Sequence, residues 1–271
     1  MTDLPLLYEK RDGIAYLTFN RPQARNALTP EMFCRFADAL DDFTQDDALR
    51  VAIVTGAQDK AFLAGADLLR TMPLLSGARA PEDEWDHRVL RDADRLLDVT
   101  TLRSTALVKP IIAAINGMCI GAGTEMIQGM DLRIAVEHAT FSLAEVALGF
   151  MPAGGSSVRL PRQIPYCKAM ELLLLGTRMS AQEAWRIGLI NEVVPAGELM
   201  PRAEAWARTI ASNGPLAVRK IKETVLRSSG VSLEEAYAIE AENYQTTIRS
   251  NDAKEGPRAF KERRAPKFTG T

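Results

Sequence analysis

The hydrophobic pattern of this 271-residue sequence predicts an α/β core over residues 1–197 and an all-helical region over 198–271. Three observations lead there. Short buried-strand runs alternate with helical periodicity as far as Val194, and that alternation marks α/β proteins. Beyond Gly197 four helical stretches follow, and no further run reads as a strand. Hydrophobic residues make up 46% of the chain, enough to fill a core of this size.

Residues 6–10 and 14–19 flank Asp12-Gly13, a tight-turn dipeptide, and predict a hairpin. The loop 20–28 precedes a helix that opens at Thr29-Pro30-Glu31: a capping hydroxyl, a proline at the first helical position and an acid in the first turn. Phe33, Phe36, Ala37, Leu40 and Phe43 then recur at helical spacing. Residues 51–55 form a buried-strand run that Gly56 closes, and 62–69 are rich in small residues at their middle. The polar, uneven stretch 70–107 holds a loop over 77–81 and a helix over 82–105. Residues 111–115 are a second buried strand, which runs into Asn116-Gly117 and then into Gly121-Ala122-Gly123-Thr124-Glu125, the opening of a short helix that ends near Gly129. Residues 131–136 are a third strand. Residues 141–148 lead to a turn over 149–155, and helices follow at 156–163, 165–176 and 180–187. Ser180 caps the last of these and Gly188 stops it. Residues 190–194 are the final strand, and helices over 198–212, 215–228, 231–249 and 252–264 complete the chain.

Charge narrows the function. Lys and Arg number 33 against 35 Asp and Glu, a net charge of −2, which argues against a nucleic-acid partner. The longest apolar runs are strand-sized, well short of the ~18 residues of a membrane span, so no membrane partner is expected. Met1-Thr2-Asp3-Leu4-Pro5 has no basic segment ahead of an apolar one, the order a secretory leader requires. Cys34, Cys119 and Cys167 are scattered and odd in number, and read as reduced thiols of a cytoplasmic protein. The only histidines, His87 and His138, are too few for a His-rich metal site or a serine triad, and read as structural or surface residues.

The glycines exclude several further classes. Gly121-Ala122-Gly123-Thr124-Glu125-Met126 ends in methionine where a dinucleotide fingerprint needs glycine. There is no Gly-Lys-[Ser/Thr] and no Gly-x-Ser-x-Gly. What remains is a strand end followed by small residues at a helix start, where free backbone N–H groups lie at the positive end of the helix. An anionic oxygen fits there, although a tight turn without a ligand would read the same. A second small cluster, Leu63-Ala64-Gly65-Ala66-Asp67, also follows a strand. Two such turns can each offer one N–H to the same oxygen, which is the form of an oxyanion hole. Glu125 lies in the first turn of its helix, and Glu145 sits among apolar neighbours, where burial should push its pKa up. Two glutamates in one site can divide base and acid roles.

Four segments, in order, resemble the crotonase (enoyl-CoA hydratase/isomerase) superfamily over almost the whole chain. They are Arg21-Pro22-x-x-x-Asn26-Ala27-Leu28; Ala61-Phe62-Leu63-Ala64-Gly65-Ala66-Asp67-Leu68; residues 109–117 with Gly121-Ala122-Gly123-x-Glu125; and Glu145-x-x-x-Gly149-x-x-Pro152-x-x-Gly155 with Arg159-Leu160-Pro161-Arg162. The resemblance implies a crotonase-like spiral of ββα turns with a C-terminal all-helical trimerisation region, and a homotrimer or homohexamer. It implies an acyl-CoA thioester substrate and neither metal nor redox cofactor, coenzyme A being part of the substrate. It places the oxyanion donors on the backbone N–H groups of Ala66 and Ala122. It places the hydratase acid/base pair on Glu125 and Glu145, whose spacing of 20 residues also fits. Having both carboxylates favours hydration over double-bond isomerisation, which would use mainly Glu145, and over a non-catalytic acyl-CoA-binding scaffold. Adenosine and pantetheine are expected against Arg25, Ala27, Ala64, Asp67 and Leu68, with Pro152 and Gly155 also at the substrate. The basic C-terminal run, which includes Lys267, is either a solvated helix face or a contact with CoA phosphates across a subunit interface. The stretch 70–107 is expected to shape the acyl pocket.

Overall fold

The computed structural model describes residues 4–103 and 107–271, so the end of the helix expected over 82–105 and the first three residues lie outside the described part. The chain opens with the expected hairpin. β1 (Leu6–Arg11) pairs antiparallel with β2 (Ile14–Phe19), Arg11 opposite Ile14. Asp12 and Gly13 between them both have positive φ, 52° and 74°, the combination that matches a two-residue turn to the twist of its strands. In α1 (Pro30–Gln45) the Thr29 side chain accepts from the Met32 N–H at 3.3 Å, and Met32, Phe36, Leu40 and Phe43 form the buried face.

A repeating unit then takes over. β3 (Val51–Gly56) is followed by β4 (Ala61–Leu63) and three helices, α2 (Thr71–Leu75), α3 (Glu84–Arg91) and α4 (Ala93–Thr100). β5 (Ile111–Ile115) is followed by β6 (Met118–Ile120) and α5 (Ala122–Ile127). β7 (Leu132–Val136) is followed by β8 (Thr140–Ser142), a 3-10 turn over Ala144–Leu148, α6 (Ser156–Gln163) and α7 (Tyr166–Leu175). β9 (Met179–Ser180), α8 (Ala181–Arg186) and β10 (Glu192–Val194) close the series. The first strand of each unit joins a six-stranded sheet of order β1-β2-β3-β5-β7-β10, and the second joins a four-stranded sheet of order β4-β6-β8-β9. The chain therefore winds between two sheets in successive ββα turns, as a crotonase-like spiral does. All five residues of β5 are buried, as a parallel strand covered on both faces requires.

The helices after β4 differ from the sequence reading. The helix expected over 82–105 is broken at Asp92, which leaves the helical region at φ −111° and ψ 23°. α2–α4 pack on α1 through a small separate cluster of Cys34, Ala37, Leu74, Val89 and Leu96. The four C-terminal helices are α9 (Leu199–Ser212), α10 (Pro215–Arg227), α11 (Leu233–Ile248) and α12 (Asn251–Glu262). Leu199, Ala203 and Ala207 of α9 join the main core, so this helix belongs with the large sheet. α10 and α11 bury almost nothing within the chain and leave Ile221, Val225, Leu233, Tyr237, Tyr244 and Ile248 exposed. Among the described residues no helix is long and apolar enough to cross a membrane.

Candidate active site

The ends of β4 and β6 carry the two small-residue clusters. The loop before α1 is pinned to β4 by Asn26, which is buried with φ 56°. Its Nδ2 donates to the carbonyls of Ala61 at 2.7 Å and Phe62 at 3.3 Å, and its Oδ1 accepts from the Arg21 N–H at 2.9 Å. Leu28 then lies parallel to the segment beyond β4: its N–H donates to the Gly65 carbonyl at 2.9 Å, and its carbonyl accepts from the Asp67 N–H at 3.0 Å. In a parallel bridge of this kind the residue between the two bonded positions faces the other way. The N–H of Ala66 accordingly has no hydrogen-bond partner among the described residues.

At the end of β6, Gly121 turns the chain into α5 with φ 55°, a region that favours glycine. Ala122 is the first helical residue, and its N–H has no partner among the described residues either. The two turns touch. A Cβ placed on Gly65 would lie 3.8 Å from the Gly121 Cα and 3.9 Å from the Ala122 nitrogen. Two unpaired backbone donors thus stand side by side.

They border a cavity of about 320 Å³. Glu125 and Glu145 are the charged side chains that line it among the described residues, and Phe33, Met72, Leu75, Leu97, Met126 and Phe150 are among its apolar lining. Glu125 is 5% exposed, and its Oε1 accepts from the N–H groups of Gly154 at 2.8 Å and Ser156 at 3.3 Å. A Cβ at position 154 would sit 3.0 Å from Glu125 Oε2 and 2.8 Å from Thr101 Cγ2, so any larger residue there would have to displace these side chains. Burial pushes the Glu125 carboxyl pKa up, and the Ser156 and Gly154 donors with the Arg159 guanidinium pull it back. Glu145 is 8% exposed, and its Oε2 has no hydrogen-bond partner among the described residues. Burial, with a contribution from the Glu125 charge, raises its pKa to about 7. Burial raises the pKa of both carboxyls, and the two differ in their donors: Glu125 is held by the Gly154 and Ser156 N–H groups, while Glu145 Oε2 meets none among the described residues.

The raised Glu145 carboxyl has a consequence for stability. Between its ordinary 4.5 and about 7, Glu145 is protonated in the folded chain and ionised in the unfolded one. The folded state binds more protons there, so stability falls as pH rises through that window, by about 1.4 kcal/mol per unit of raised pKa. Glu145→Gln, which cannot ionise, is expected to melt above wild type near pH 8, with the gap closing near pH 4. Thermal melts at both pH values check this, and equal melting at pH 8 would count against a buried, raised carboxyl.

The structure brings Ala64, Ala66, Leu68, Ala122, Glu125 and Glu145 around one cavity. Arg25 is exposed in the left-handed region, and its carbonyl accepts from the Ala64 N–H at 3.2 Å. Asp67 turns to Arg21, which it meets at 3.1 Å, and the same guanidinium holds the Ala27 carbonyl at 2.6 Å. Ala27, Asp67, Pro152 and Gly155 flank the cavity lining in sequence without joining it. Lys267 lies in a separate cleft with Arg258 and Arg264, and its N–H donates to Glu255 Oε1 at 2.9 Å. The sequence reading missed Gly154 and Ser156 as donors to Glu125, although a glycine pair just before a helix is the form such a donor site takes. It also read Phe33 simply as part of a core face.

A two-sheet spiral of ββα turns, with paired carboxylates facing free backbone N–H groups, defines the class of protein. The family description enoyl-CoA hydratase/isomerase matches residues 9–271. An enoyl-CoA hydratase of Mycobacterium tuberculosis is 40% identical over 262 residues, 97% of this chain and 95% of its own. The crotonyl-CoA hydratase of Syntrophomonas wolfei is 37% identical over 264 residues, 97% of each chain. The crystal structure of an enoyl-CoA hydratase from Bacillus anthracis matches with a TM-score of 0.88 at 36% identity, over 98% of this chain and 100% of that one. This chain belongs to the enoyl-CoA hydratase/isomerase family, within the crotonase superfamily.

Proposed function

We propose that the protein is an enoyl-CoA hydratase, adding water reversibly across the 2,3 double bond of an enoyl-CoA thioester. The observation that carries this reading is the pair of unlike buried glutamates beside two unpaired N–H groups. When water adds at C3, negative charge builds on the thioester oxygen. The N–H groups of Ala66 and Ala122 receive that oxygen as an oxyanion hole, each worth roughly 3 kcal/mol. Glu125, held by the Gly154 and Ser156 donors, orients the water and takes its proton. Glu145, protonated below about 7, gives a proton to C2. The hydroxyl ends on C3, and each glutamate is reset by the reverse transfer through solvent. Coenzyme A enters as part of the substrate, and the chemistry needs no metal or other cofactor. Its adenosine and pantetheine run along Arg25, Ala27, Ala64, Asp67 and Leu68, near Pro152 and Gly155, and Lys267 reaches the phosphates of a thioester bound by a neighbouring copy. Among the described residues the cavity lining holds no basic side chain to pair with an ionised acyl tail, which supports an uncharged acyl group. Free Cys34, Cys119 and Cys167 suit the cytoplasm.

Incubation with crotonyl-CoA and longer 2-enoyl-CoAs tests the reading, with products separated by chromatography and weighed by mass spectrometry. A 3-hydroxyacyl-CoA, heavier by one water, is expected. Interconversion of 2- and 3-enoyl-CoA without hydration would assign an isomerase instead, and tight binding without turnover a scaffold. The exposed apolar faces of α10 and α11 support a homotrimer or a homohexamer of paired trimers. Sedimentation is expected to show one of the two, and a stable monomer at micromolar concentration would remove this part of the proposal.

A further inference from the structure

Arg159, in the first turn of α6, stands at a corner where three elements of the site meet, and the proposed reaction gives it no task. Its N–H donates to the Gly155 carbonyl at 2.8 Å. Its side chain folds back against the same turn: a Cβ placed on Gly155, whose φ is 111°, would lie 3.8 Å from Arg159 Cδ, Nε and Cζ. Gly155 separates Gly154 and Ser156, the two residues whose N–H groups hold Glu125. The guanidinium then reaches the end of α4, where Nη1 donates to the Thr101 carbonyl at 2.6 Å and Nη2 to the Leu102 carbonyl at 2.5 Å. These two residues follow the last turn of α4, with Leu102 in the left-handed region at φ 56°, and Leu97 and Thr101 line the cavity. The helix that carries Glu125 ends at the same corner. A Cβ on Gly129, two residues past α5, would lie 2.7 Å from Leu102 Cβ, 2.9 Å from the Thr101 carbonyl oxygen and 3.0 Å from Arg159 Nη1.

Among the described residues no carboxylate pairs with this guanidinium, and its terminal nitrogens meet backbone carbonyls. Removing such a cation from water costs free energy, so packing alone is a poor reason for it. The planar fork supplies a better one: two donors at a fixed spacing meet two successive carbonyls, which a single ammonium does not match. The geometry points to Arg159 as a positioning residue whose guanidinium clamps the Gly154–Ser156 turn to the end of α4, and so fixes Glu125 relative to the wall of the acyl pocket. The clamp rests on the hydratase reading for its purpose, since a base aimed at water loses rate when it is misplaced by an ångström. The other charged groups facing this corner are Glu145, from the 3-10 turn after β8, and Arg103, just past α4. Neither is altered by the substitutions below.

Two variants separate the clamp from the charge. Arg159→Lys keeps the charge and loses the fork, and Arg159→Met loses both. Protein labelled at the glutamate carboxyl carbon is titrated by NMR, with the Glu125 signal assigned by its loss in Glu125→Gln. Once the turn is released, its two N–H donors hold the ionised carboxylate less firmly. The Glu125 midpoint is therefore expected to rise in both variants, by roughly half a pH unit in Arg159→Lys and about one in Arg159→Met, where a nearby cation is lost as well. The hydration kcat per folded protein is expected to fall about tenfold in both, with KM changed much less. A residue that only held the fold together would lower the melting temperature and leave the midpoint and kcat of the remaining folded protein at wild-type values. That outcome in folded Arg159→Lys would overturn the clamp, whether or not Arg159→Met folds. The titration needs no substrate, so the two readings fail separately. A risen midpoint in a protein that hydrates no enoyl-CoA would keep the clamp and remove the hydratase, and hydration with midpoint and kcat unmoved would do the reverse.

Discussion

Glu125→Gln and Glu145→Gln are each expected to lower enoyl-CoA hydration by roughly 10²–10⁴, the usual share of a positioned acid or base. Both substitutions keep the side-chain shape, and neither residue's charge is needed to hold the apolar end of the acyl group. Thioester affinity, measured by calorimetry with a saturated acyl-CoA, is therefore expected to stay near wild type. The two variants should lose activity for different reasons. In Glu125→Gln the amide oxygen can still accept from Gly154, but the side chain cannot take a proton from water. In Glu145→Gln there is no acidic proton to deliver, so the fall in rate expected of wild type as pH rises through about 7 should vanish from the residual activity. Full hydration by either variant would remove that glutamate from the chemistry.

Ala66→Pro is expected to cost about 10²–10³ in turnover, the effect of deleting one oxyanion donor. The substitution is unusually clean here. The Ala66 N–H makes no hydrogen bond among the described residues, so proline removes no native bond there. Circular dichroism and thermal melting must first show a native-like protein, because proline also fixes φ. Ala122→Gly is the matching control: it keeps the second N–H and should retain activity near wild type. Undiminished turnover by a well-folded Ala66→Pro protein would show that the thioester oxygen does not sit between these donors.

Large-sheet strands were the legible part of the fold. β5 is a five-residue apolar run with both faces covered, and a pattern of that length stands out from its polar flanks. β4, β6, β8 and β9 span two or three residues each, too few to show any period, and only their pairing across the small sheet makes them strands. The break at Asp92 also escaped the pattern, since both halves keep helical composition. In the site, the apolar neighbours of Glu145 announced its burial. The partners of Glu125 did not show, because Gly154 and Ser156 lie 29 and 31 residues away and meet it only through the packing of α6 against α5. Lys267 was read from charge alone, and within one chain its neighbours are the residues around Glu255.

The two unpaired N–H groups sit just past β4 and β6, parallel neighbours with Leu63 opposite Cys119. The pairing of the two strands, about 4.8 Å apart, is what brings these backbone groups to the same place. The proposed base and acid, Glu125 and Glu145, are by contrast side chains on a short helix and a 3-10 turn. On the hydratase reading, an exchange at position 125 or 145 would change what is done to an acyl group without disturbing how its oxygen is gripped. A scaffold divided in this way can diversify one residue at a time, because the invariant half of the task belongs to the backbone and is beyond the reach of most point mutations.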